Sequence, residues 1–219
     1  TGTIRLQQDG AFSGTTTLLG NNVLLTAGTH TFAAGSVVNG RINVAGATAQ
    51  LNDTVLTGSA GLTSGSLSTA GTSAMALTQL DLSGGTLSLG AGTTATVSTA
   101  LNWTRGATIT GPGTLALATG SNSVITGSAF HVIDGATLTN AGTVVYDIAP
   151  GNSQELELAN GARFDNLAGG VFTFRTDSTV ARPGSGPAGT FINAGTVNKD
   201  GGISVSSINV AFENRGGTI

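Results

Sequence analysis

Glycines recur along this chain at intervals in the twenties, and each opens the same short pattern. The anchors are Gly14, Gly40, Gly65, Gly85, Gly113, Gly142, Gly170, Gly195 and Gly217. Two residues beyond them stand Thr16, Ile42, Leu67, Leu87, Leu115, Val144, Phe172, Val197 and Ile219, and eight of those nine are apolar. The residues between are Thr15, Arg41, Ser66, Thr86, Thr114, Thr143, Val171, Thr196 and Thr218, a mostly small polar set. Apolar and polar residues alternating at period two make a half-buried strand. The anchors are spaced by 26, 25, 20, 28, 29, 28, 25 and 22 residues. Strands repeating at such a period cannot each bury an apolar face alone, so the coils must stack. The expected fold is all-β, a parallel β-helix (β-solenoid) of about eight to nine coils of roughly 20–29 residues. All of 1–219 would form one solenoid domain. At about 4.8 Å per coil the rod is roughly 40 Å long.

A longer match supports the repeat. GATITGPGT (Gly106 to Thr114) and GATLTNAGT (Gly135 to Thr143) agree at six of nine letters across an offset of 29 residues. Composition closes off other classes. Met and Lys occur once each, and only 9% of residues are charged, which argues against both helices and a solvated disordered tail. The net charge of −3 with a single lysine, Lys199, gives no basic patch for nucleic acid. There is no cysteine, hence no disulfide framework and no thiolate metal site. No apolar run is long enough to cross a bilayer. The chain opens on TGTIRL without Met, as expected of a mature form or an excised segment.

A second column sits in TLTN, RFDN, FIN and AFEN. Leu138, Phe164, Phe191 and Phe212 align, and two residues on come Asn140, Asn166, Asn193 and Asn214. Equal parity turns these asparagines inward, at a corner before a glycine. Stacked amides bond from coil to coil and so satisfy polar groups inside a core. The expected role is a structural ladder, and a binding row is the functional alternative. In GATITGPGT the matching position is Gly111, so the ladder starts one coil later.

Outward side chains supply the candidates for function. The core column is expected to run through Ile42, Leu67, Leu87, Leu115, Val144, Phe172, Val197 and Ile219. Thr108 and Thr110 align with Thr137 and Thr139, and the following coil carries Arg163 and Asp165, so the threonine array stops short of an ice-binding plane. Glycan cleavage needs converging carboxylates, and the eleven acids are thinly spread. Glu155 and Glu157 in QELEL read as a solvated strand face. Arg163 and Asp165 read as a surface ion pair. His30 and His131 are isolated and read as surface or turn residues. In LNWTR, Leu101 and Trp103 share one side of the strand. Facing in, Trp103 is core; facing out beside Arg105, it can stack on a sugar ring. No catalytic, cofactor or metal residue is assigned. RPGSGPAG, Arg182 to Gly189, reads as a loop projecting from a corner.

The Gly-Thr-φ-x-φ strands with φ-x-Asn-x-Gly corners, carried by TNAGTVVY and INAGTVNK, resemble the repeats of bacterial cell-surface β-helix proteins. These are the filamentous-haemagglutinin type of adhesin and the autotransporter passengers. The likeness covers Gly85 to Ile219 well and residues 1–84 loosely. It implies a right-handed helix, export to the cell surface, and a scaffold or adhesive role. The expectation is a non-enzymatic extracellular structural protein. It would form a stalk, a surface layer or a head-to-tail filament. Its partners would be another copy of the chain stacked end to end, or the continuation of a longer solenoid, with surface glycans as a further class. A glycan-binding or glycan-cleaving β-helix is the alternative.

Overall fold

The computed structural model describes residues 3–148, 155–182, 184 and 186–219, with the side chains of 18–22 set aside. Residues 1 and 2 of TGTIRL, Gln154 of QELEL, and residues 183 and 185 of the corner loop lie outside that description. The described strands belong to one sheet of 23, and every strand pairing in it is parallel. Among the described residues there is no helix. The sheet winds into a β-solenoid of about nine turns.

Each turn has three faces. Face A runs through Gly10–Phe12, Thr29–Phe32, segments 48–52 and 66–70, Gly85–Ser88, Ala107–Thr110, His131–Asp134, Leu156–Ala159, Thr179–Ala181 and Ser207–Ile208. Face B follows in the chain, ending in Thr114–Leu117, Thr137–Asn140, Arg163–Asn166, Thr190–Asn193 and Ala211–Asn214. Face C then closes the turn, and its later strands are Asn122–Thr126, Thr143–Asp147, Val171–Phe174 and Thr196–Lys199.

This register corrects the glycine column. Ile42, Leu67, Leu87, Leu115, Val144, Phe172 and Val197 are all buried, but they do not form one row. Leu67 pairs with Leu87 on face A, Leu115 with Leu138 on face B, and Val144 with Phe172 and Val197 on face C. Ile42 stacks between Val23 and Ala60, also on face C. Ile219 is 77% exposed, because it lies beyond the Thr196–Thr218 bridge and no described coil covers it. The cause is shared corner chemistry. Gly-Thr opens strands on all three faces, so aligning glycines slips from one corner to the next. True neighbours are separated by as few as 18 residues (Thr48 to Ser66) and as many as 28 (Val180 to Ile208). GATIT lies on face A and GATLT on face B, so the 29-residue offset spans one turn and part of the next.

The core is the strip of inward residues from all three faces. Strand alternation supplies it: Ala107 and Ile109 point in while Thr108 and Thr110 are half-buried outside. Towards the C-terminal coils it becomes aromatic, with Phe164 stacked on Phe191 at 4.8 Å and Phe172 meeting both edge-on. Glycine is required where coils touch at corners. Gly58 has φ +116°, and a Cβ there would lie 2.2 Å from the carbonyl oxygen of Gly40. Gly58→Ala therefore combines backbone strain with a main-chain clash. It is expected to cost about 3 kcal/mol, read as a lower urea midpoint at unchanged slope. Gly120→Ala is the control. Its φ is +81° with nothing near the added carbon, so only strain of about 1 kcal/mol is expected.

Candidate functional site

The most regular chemical feature is the asparagine row. Parallel pairing puts Asn140, Asn166, Asn193 and Asn214 in register on successive coils of face B. The first three are buried. Asn140 Nδ2 donates to Asn166 Oδ1 at 2.9 Å, Asn166 Nδ2 to Asn193 Oδ1 at 2.8 Å, and Asn193 Nδ2 to Asn214 Oδ1 at 2.9 Å. Each amide also donates to a carbonyl one coil on: Asn140 to Val171, Asn166 to Thr196, Asn193 to Thr218. Asn140 Oδ1 accepts the Gly142 N–H and so holds its own corner. The ladder begins at Asn140, as expected, but the residue stacked before it is Leu117. Gly111 belongs instead to the corner that follows the face A strand Ala107–Thr110.

A second ladder was not visible in the sequence. Ser36, Thr54 and Ser73 precede the face B strands of successive earlier coils, and all three are buried. Thr54 Oγ1 donates to the Phe32 carbonyl, Ser73 Oγ donates to the Leu51 carbonyl at 2.8 Å, and Ser73 Oγ accepts the Thr54 N–H at 3.1 Å. The signal was a hydroxyl one residue before each strand, hidden by the abundance of Ser and Thr.

Outside, polar side chains also bond along the axis. Arg41 reaches over Gly61 to Asp81, two coils away, at 2.6 Å. A Cβ on Gly61 would sit 3.1 Å from that guanidinium and 2.3 Å from Asn43 Oδ1. Gln79 and Asn102 donate to the same carboxylate. Burial pushes the Asp81 carboxyl up, but the bonds from Asn102, Arg41 and Gln79 outweigh it and leave the group below its ordinary value. Arg163 and Asp165 pair at 2.7 Å on face B. Glu157 is pushed up, first by burial and then by Glu155. Face A carries outward hydroxyls in register at Thr29, Thr48, Ser66, Thr86 and Thr108. The threonines compared in the sequence sit apart, Thr108 and Thr110 on face A and Thr137 and Thr139 on face B.

Trp103 is fully buried, between Leu82 and Ile125 of the neighbouring coils, while Arg105 is exposed. The indole therefore offers no surface to a sugar and takes the inward, core alternative, and Arg105 alone of the two lies at the surface. Parity with Leu101 forces the ring inward. His131 and His30 are also fully buried, contrary to the sequence reading. His131 shares the inward parity of Ile133. Its Nε2 lies 3.0 Å from the Thr126 carbonyl, and its ring meets Trp103 edge-on at 5.2 Å.

Burial holds the His131 imidazole below its ordinary 6.5, against a smaller opposing pull from the Thr126 carbonyl. The unfolded chain therefore takes up this proton first as pH falls. The contribution to stability is complete above the unfolded value and is lost as pH drops towards the folded one. The wild-type urea midpoint is expected to fall between about pH 7 and pH 5.5, and His131→Leu to flatten that slope. Parallel slopes in the two proteins would refute the assignment.

Among the described residues no group of three or more His, Cys, Asp or Glu is placed to hold a metal ion. No protein-family model, curated protein or solved structure matches the chain.

Proposed function

We propose that this chain is a non-enzymatic structural rod of the cell surface or extracellular space, a stalk whose outward faces are available for adhesion. The observation that carries the reading is the direction of its bonds. The parallel pairing and the buried Asn and Ser/Thr ladders join one coil to the next, and the outward Arg41–Asp81 bridge joins coils two apart. Such a molecule commits its polar chemistry to axial cohesion, as a spacer under tension requires. The surface fits a weakly charged display, with hydroxyl rows on face A and a net charge of −3.

Negative-stain electron microscopy tests the shape directly. Rigid rods roughly 40 Å long per chain are expected, with no release of reducing ends from bacterial or host polysaccharides. A flexible particle would sink the scaffold reading, and catalytic release of sugars would replace it with the glycan-cleaving alternative. Binding on a glycan array without cleavage would support adhesion by the outer faces.

A further inference from the structure

On the outside of face C, side chains from three coils donate to the Asp81 carboxylate. Asn43, Gly61, Asp81 and Asn102 stand in register on four successive coils, and Arg41, Ser59 and Gln79 form the column beside them. Arg41 Nε donates to Asn43 Oδ1 at 3.1 Å, and Arg41 Nη2 donates to Asp81 Oδ2 at 2.6 Å. Asp81 Oδ1 accepts from Gln79 and Asn102, both at 2.7 Å. Arg41 therefore passes over the coil of Gly61 to reach the one beyond. Any side chain at Gly61 would contest that space with Arg41 and Asn43.

We propose that Arg41 is a strap that arrests local opening of the solenoid. An opening that spreads along the rod as far as segment 41–44 halts there, because the next step must release Asp81 as well. Where coils touch only their neighbours, each opens at the cost of one interface. The asparagine ladder obeys that rule, since each rung bonds to the next coil. Segment 41–44 does not. Lifting it from segment 59–62 also breaks the bond to Asp81, one coil further on. The guanidinium is held at two nitrogens, and the Arg41 and Asp81 side chains are only 31% and 30% exposed. More than a loose surface contact is therefore lost. Segment 23–25 pairs with segment 42–44 from the other side and lies outside the strap. The rod thus changes from loosely to firmly held across one coil boundary. The inference rests on these contacts alone and does not need the scaffold reading.

The test is native-state hydrogen exchange of the whole chain, read strand by strand in low urea. In the wild type, protection is expected to step up between segment 23–25 and segment 41–44. Arg41→Met keeps the stem of the side chain. It should speed exchange in segment 41–44 about fivefold and leave segment 23–25 unchanged. Asp81→Ala should do the same to segment 41–44 from two coils away, and the double variant should add nothing further. Arg163→Met is the control. Arg163 pairs with Asp165 on its own strand, so its loss should not alter exchange in segment 41–44. Unchanged exchange there in Arg41→Met overturns the proposal. An equal rise in segment 23–25 also overturns it, since that marks a loosening of the whole rod. So does an Asp81→Ala effect confined to its own coil.

Discussion

Asn166→Ala is expected to lower stability by about 4 kcal/mol, near the upper end for a single substitution. The reason is the neighbours it strands. Asn166 Oδ1 accepts from Asn140, and its Nδ2 donates to Asn193, Thr196 and Gly170. Truncation leaves the buried Asn193 Oδ1 without its donor and removes one of the two acceptors of the Asn140 amide. Neither group can turn to solvent, since both residues are fully buried. Asn214→Ala removes the same chemical group at an exposed position and should cost about 1 kcal/mol or less. Urea unfolding of both variants, with the Asn166/Asn193 double-mutant cycle, separates a coupled ladder from four independent amides. Equal costs at Asn166 and Asn214 would mean that the buried row contributes nothing as a row.

The second large effect is expected at Phe172. Its ring lies 5.2 Å from Phe164, 5.3 Å from Phe191, 5.1 Å from Phe174 and 5.9 Å from Tyr146. Phe172→Ala opens a cavity among these rings, in a strip of parallel strands that collapses poorly. The expected cost is about 4 kcal/mol, or a melting temperature lower by about 10 °C for a chain of this size. Tyr146 adds to the rigidity there. Its hydroxyl donates to the Thr179 carbonyl and accepts the Leu156 N–H, both at 2.7 Å. Phe212→Ala, on the open side of the same aromatic stack, should cost about 1–2 kcal/mol. Similar losses at the two positions would show that ring burial at Phe172 is not what matters.

The solenoid and its asparagine row could be read from the letters because they rest on residues that do one job. An inward Asn two positions after an inward Phe must find amide partners inside the core, and a stacked copy of itself supplies them. Asn166 and Asn193 keep the same corner from coil to coil for that reason. Gly-Thr does the same job at three corners, so glycine spacing alone sets Leu87 and Leu115 in one row although they lie on different faces. Trp103 and His131 were legible by parity, through Leu101 and Ile133, but residue type argued the other way for the histidine. The Arg41–Asp81 bridge was out of reach. It joins residues 40 apart, and it depends on two coil lengths and on glycine's lack of a side chain at Gly61.

The winding of the sheet also sets how the molecule takes a pull. Its three ribbons of main-chain hydrogen bonds run parallel to the long axis, so traction on the two ends does not load them all at once. It opens the outermost coil while the others remain closed. Each coil so released frees 18 to 28 residues, roughly 60–100 Å of slack. The resting rise of that coil is about 4.8 Å, so a tether built this way lengthens many-fold in steps before it parts. It dissipates a sudden jerk as a series of small ruptures.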